Sequence, residues 1–147
     1  MPENRHNFLK SLTTTASINP DQYSPLTSQN RLRSLGYAIA GWLYMLRRQK
    51  NTRIQAVASV LVIVMALWLE VSVVSMAILI LTVTIVWMAE FLNAAVEAAI
   101  NLTTTELHPM AQIGKDVAAG AVLLGVVASV LIGLLLLGPP LVEKLGF

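Results

Sequence analysis

The sequence predicts an all-α membrane protein, with three transmembrane helices preceded by an interfacial amphipathic helix. Composition points first: 56% of the residues are hydrophobic and 12% charged, against about a quarter charged in soluble domains. Three apolar segments, at about residues 54–69, 73–100 and 117–137, are each near or above the roughly 20 residues that a spanning helix needs. The charge is also divided along the chain. Residues 1–53 carry eight Lys and Arg against Glu3 and Asp21, and the remainder carries Lys115 and Lys144 against six acids, so the two parts are +6 and −4.

Residues 1–30, with Thr13 to Thr15, Pro20 and Pro25, contain no apolar run and no small-residue cleavage site. They read as a polar, disordered N-terminal tail and not as a signal peptide. Residues 31–147 form a single membrane domain by length. Within it, about 31–50 places Leu32, Leu35, Tyr37, Ile39, Trp42, Leu43 and Leu46 among basic residues, the pattern of an amphipathic helix lying at the membrane surface. Gly41 costs such a helix about 0.5–1 kcal/mol, which predicts close backbone packing or a break there.

The first span ends at Glu70, with Trp68 at headgroup level and Leu69 to Ser72 as a tight connection. The second is too long for one crossing, so its end from about Glu90 projects from the hydrocarbon. In the third, Ala121, Gly125, Ser129 and Gly133 recur every four residues. Such a face lets helices approach closely, either between copies of the chain or within one. Gly138, Pro139 and Pro140 are expected to end that helix. Arg31, Arg33, Arg47, Arg48, Lys50 and Arg53 cluster before the first span, which predicts a cytoplasmic N-terminus, a cytoplasmic connection at 101–116 and an external C-terminus.

The chemistry is concentrated on the second span. Glu90, Asn93 and Glu97 are spaced by three and four residues, so they share one stripe of a helix, which Asn101 continues. A carboxylate at membrane depth costs about 2.5–3.5 kcal/mol on insertion scales, so two on one face point to use within a protein interior. With Lys115 and Asp116 they make a set of three carboxylates, an amide and an ammonium, groups that suit Mg²⁺ and phosphate. The same spacing also fits an interfacial charge cluster that serves solubility and topology.

Other chemistries find no support. Gly114-Lys115-Asp116 lacks the upstream glycine and following Ser or Thr of a phosphate-binding loop. His6 and His108 are too few for a histidine metal site, and the absence of cysteine removes thiolate chemistry. His108, before Pro109, reads as a loop residue.

The run Glu90-Phe91-Leu92-Asn93-Ala94-Ala95-Val96-Glu97, then His108-Pro109, then Lys115-Asp116-Val117-Ala118-Ala119-Gly120-Ala121-Val122-Leu123 resembles the small bacterial integral-membrane diacylglycerol kinase and undecaprenol kinase family. The similarity extends from about Leu35 to Leu137. It implies a multi-pass homotrimer of the bacterial plasma membrane that transfers the γ-phosphoryl of ATP, with Mg²⁺, to a lipid hydroxyl at the cytoplasmic face. Diacylglycerol would become phosphatidic acid; undecaprenol is the alternative acceptor. On this resemblance Glu90 is the general base and Asn93 orients the reacting groups. Lys115 and Asp116 belong to the nucleotide side of the site, while Glu97 and the residue at Gln49 hold the metal.

Two positions depart from the family pattern. Gln49 stands where a glutamate usually shares the metal, and Asn101 where aspartate is common. The loss of charge at Gln49 implies weaker Mg²⁺ binding or lost activity, because ligand charge tunes affinity. A non-catalytic reading, as a kinase-like lipid-binding scaffold or a small ion carrier, is the rival. A carrier needs polar groups through the whole membrane depth, whereas here they gather at one end.

Overall fold

The computed structural model describes residues 31–103 and 108–146; the expected tail at 1–30 lies outside the described residues. Four helices follow in order: α1 (Arg31–Arg48), α2 (Lys50–Trp68), α3 (Val73–Thr103) and α4 (Pro109–Lys144). The last three are long and apolar enough to cross a membrane. The chain divides after Gly41 into two compact units. In the first, the described residues are the N-terminal part of α1; the second begins at Trp42 and holds α2, α3 and α4.

Gly41 does not break its helix, since α1 runs through it, and among the described residues a β-carbon there would meet nothing within 4 Å. The break comes at Gln49. Its backbone is extended, with φ −94° and ψ 117°, while its N–H still reaches the Met45 carbonyl at 3.0 Å. One residue therefore separates α1 from α2.

The α2–α3 turn is a Schellman motif. The Glu70 N–H donates to the Leu67 carbonyl and the Val71 N–H to the Ala66 carbonyl, at 3.1 and 3.2 Å, which satisfies carbonyls that the helix end would orphan. Glu70 occupies the left-handed position, φ 55°, at a cost of roughly 1–2 kcal/mol for a residue with a β-carbon. Ser72 then caps α3, its hydroxyl accepting from the Ser75 N–H at 3.1 Å.

Below this turn lies the apolar core of Ala66, Leu69, Leu79 and Leu137, against which Val71 and Leu141 pack. This packing explains a difference from the sequence reading. Pro139 and Pro140 do not end α4, which continues to Lys144. Proline's fixed φ suits a helix, and in membrane helices packing against neighbours offsets the lost hydrogen bonds. Here the neighbours are α2 and α3, and Lys144 closes the arrangement by donating to the Trp68 carbonyl while its ammonium lies 4.9 Å from that ring.

At the other end of α4, His108 is a helix cap. Its Nδ1 accepts from the Met110 N–H at 3.2 Å and Pro109 occupies the first turn. The connection expected across 101–116 is thus mostly helical. Only 6 to 17% of each span's most apolar stretch is buried within the chain, so most of its apolar surface is left to lipid or to other helices.

Candidate active site

Glu90 is 4% exposed, although a buried carboxylate in an apolar helix is costly. It lines a groove of about 700 Å³ between α2, α3 and α4, whose walls are almost wholly apolar. The groove extends along α4 from Val122 to Leu141, roughly 28 Å at 1.5 Å per residue. Its polar end is made by Asn51, Gln55 and Glu90, and its other end by the apolar residues near Leu79 and Leu137. The stripe predicted on α3 is present and graded: Glu90 is buried, Asn93 half-buried and Glu97 exposed. It leads from the groove toward the end of the helix.

An aromatic cluster sets the rotation of α3 at this level. Trp42 of α1 stacks on Trp87 at 4.9 Å between ring centroids and tilts against Phe91 at 4.8 Å. Trp87 Nε1 donates to Ser59 Oγ at 3.0 Å, and that hydroxyl donates to the Gln55 carbonyl at 2.7 Å. Trp87 and Phe91, at i and i+4, occupy one side of α3. Glu90 falls on the adjoining side and is turned into the groove.

Lys115 and Asp116, expected on the nucleotide side, lie in the early turns of α4, and α3 holds the first of them. Lys115 Nζ donates to Asn101 Oδ1 at 2.7 Å, so the amide orients the ammonium without cancelling its charge. α4 is close to α3 here: a β-carbon on Gly114 would stand 2.9 Å from Ile100 Cδ1, the movable end of that side chain. Asp116 is exposed and Gln49 half-buried. Gln49 precedes α2 without a side-chain capping bond, which leaves its amide available for other contacts.

Among the described residues no group of three or more His, Cys, Asp or Glu side chains is placed to hold a metal by itself. A Mg²⁺ ion bound with a nucleotide asks less of the protein, commonly one or two carboxylates, with phosphate and water oxygens completing its shell. Glu97 is the exposed carboxylate at the outer end of the stripe. The small-residue stripe of α4 packs in part within the chain, because a β-carbon on Gly125 would lie 3.7 Å from Val86 Cγ2.

The model for prokaryotic diacylglycerol kinases matches residues 36–137. The chain belongs to that family of lipid kinases. A diacylglycerol kinase from Synechocystis sp. is 43% identical over 115 residues, covering 78% of this chain and 66% of that protein. An undecaprenol kinase from Bacillus subtilis is 36% identical over 95 residues, 65% of this chain and 77% of the relative. A diacylglycerol kinase from Escherichia coli is 30% identical over 106 residues, 72% and 87%. The chain thus spans just under two thirds of the Synechocystis relative's length. Membership in a kinase family implies a nucleotide phosphoryl donor. The matched stretch contains Gln49, the glutamate stripe, Lys115 and Asp116 of this diacylglycerol kinase family member.

Asn51, Gln55, Ser59 and Trp87 were not singled out by sequence reasoning, and Gly114 entered it only as part of an incomplete phosphate loop. Trp87 and Phe91 carried a usable signal, an i, i+4 aromatic pair flanking a carboxylate. The others depend on contacts between helices distant in sequence.

Proposed function

We propose that this kinase transfers the γ-phosphoryl group of ATP to the hydroxyl of a membrane lipid, with diacylglycerol as the favoured acceptor and phosphatidic acid as product. The observation that carries the reading is Glu90, a buried carboxylate at the polar end of an apolar groove that runs along three spans. A lipid hydroxyl held there has its hydrocarbon in the groove and its oxygen beside a proton acceptor. General-base help of this kind contributes about 10²–10⁴ in rate.

Asn93, one turn on, is half-buried between Glu90 and Glu97 and is suited to orient both reactants. Lys115, held by Asn101, offers a positive charge to nucleotide phosphates, with Asp116 beside it. Glu97 and the Gln49 carbonyl oxygen are the residues that would hold Mg²⁺. When bound with ATP, the ion neutralises charge on the phosphate oxygens, the main need of a loose phosphoryl-transfer transition state. The name of the Synechocystis relative favours diacylglycerol over the polyprenol named for the Bacillus subtilis relative. Transfer of labelled phosphate from ATP by purified protein to a panel of diacylglycerol and polyprenol tests the reading; no labelled lipid in either case refutes it.

Catalysis is assigned to the cytoplasmic face of the plasma membrane, with homotrimers as the assembly. The basic residues Arg47, Arg48, Lys50 and Arg53 flank the end of the bundle that holds the glutamates, as cytoplasmic ends do. Single cysteines introduced into this cysteine-free chain will be labelled from the external side near Lys144 and from the cytoplasmic side near Lys50. The reverse pattern would overturn the orientation.

A further inference from the structure

Near the polar end of the groove, α2 carries two buried side-chain groups that have no hydrogen-bond partner, of which Gln55 lines the groove. Thr52 is fully buried and its Oγ1 has no hydrogen-bond partner; three residues on, the Gln55 Nε2 is buried and also lacks one. Gln55 lines the groove beside Glu90. Ser59, one turn further along α2, is already committed, since it accepts from Trp87 and donates to the Gln55 backbone carbonyl. Leaving a buried amide donor unpaired costs about 1–3 kcal/mol, so the arrangement favours a groove occupant that brings an acceptor. The terminal torsion of glutamine has a broad, soft profile, and a modest turn aims the N–H into the groove that its side chain lines.

The two candidate acceptors differ in this respect. A diacylglycerol carries ester carbonyls a few bonds from the hydroxyl that is phosphorylated. A polyprenol carries hydrocarbon alone beyond its hydroxyl. With the hydroxyl at Glu90, a glycerolipid ester carbonyl enters the part of the groove where the Gln55 amide lies, whereas a polyprenol leaves the donor unpaired. We infer that Gln55 is a specificity-determining residue, whose side-chain amide donates to an ester carbonyl of the lipid and selects glycerolipids over polyprenols. This rests on the lipid-kinase reading given above. It adds a discriminating contact made by α2, an element that supplies none of the reacting groups.

The physical basis is asymmetric. A site with a committed polar group penalises a ligand that lacks the complementary atom more than an apolar pocket penalises a change of shape. Loss of one such bond, with the donor left buried, corresponds to about tenfold or more in kcat/KM.

The test uses three acceptors with the full-length protein in mixed micelles: a diacylglycerol, its dialkyl ether analogue, which keeps hydroxyl and chains but lacks the carbonyls, and a polyprenol. Wild type should prefer the ester over the ether by about tenfold or more in kcat/KM. Gln55→Met, similar in size but without the donor, should bring that ratio close to one by lowering transfer to the ester while sparing the ether. Its melting temperature should equal or exceed wild type, because an unpaired buried amide has been removed. Gln55→Glu, which when ionised is an acceptor only, should lose the preference in the same way and serves if the methionine variant does not fold.

Equal ester and ether rates in wild type would overturn the inference, and so would an unchanged ratio in both variants. A loss shared equally by all three lipids, with a lower melting temperature, would also overturn it by making Gln55 structural. Failure of wild type to phosphorylate any of the lipids would instead remove the kinase reading, and the two failures are therefore distinguishable.

Discussion

Glu90→Gln lowers phosphate transfer by a factor on the order of 10² to 10⁴, the usual contribution of a general base, while the protein stays assembled and retains most ATP binding. The substitution preserves shape in a buried position where shape matters, since Glu90 is enclosed between α2, α3 and α4. It also removes a costly carboxylate, so thermal stability should not fall. The measurement is kcat with saturating ATP and lipid, together with the melting temperature. Near-wild-type kcat in this variant would make the α3 stripe structural.

Glu97→Gln acts on the metal. Because Glu97 is exposed at the outer end of the stripe, its loss should raise the Mg²⁺ concentration for half-maximal activity by on the order of tenfold or more; even outer-shell partners of metal ligands cost 10–100-fold. Gln49→Glu should move the same quantity the other way, since a charged oxygen is a better ligand for a hard cation than an amide carbonyl. If both side chains serve one ion, the benefit of Gln49→Glu shrinks in the double variant with Glu97→Gln, as expected for coupled neighbours. Additive effects, or an unchanged Mg²⁺ dependence in Gln49→Glu, would place position 49 outside the metal shell. The backbone break at Gln49 gives the prediction a structural basis: the residue is at a joint, so its side chain is not committed to a helix face.

The three spans were legible because a bilayer makes a simple demand, a long apolar run with every backbone group paired inside the helix. The α3 stripe was legible for the same local reason, since spacings of three and four fix a common face whatever surrounds it. Errors came where local preference met packing. Pro139 and Pro140 read as a stop, but Leu137 and Leu141 pack against Ala66 and Leu79 and α4 continues. Gly41 read as a break or a close contact and shows neither among the described residues, while Gly114, read only as part of an incomplete phosphate loop, lies where α4 comes close to Ile100.

Sequence by itself determined the class of molecule, the number of long apolar helices, the shared face of Glu90, Asn93 and Glu97 and, through ordered motifs, the family. These depend on composition and on periodicity within single helices. Tertiary structure decided which of the acids is buried, that it opens onto a groove, and that Lys115 is held by the Asn101 amide. It also brought Trp42 onto Trp87 and left the Gln55 amide without a partner. Each of these depends on the rotation and approach of helices joined by short turns, which are set by contacts between residues far apart in the chain and not by any pattern along it.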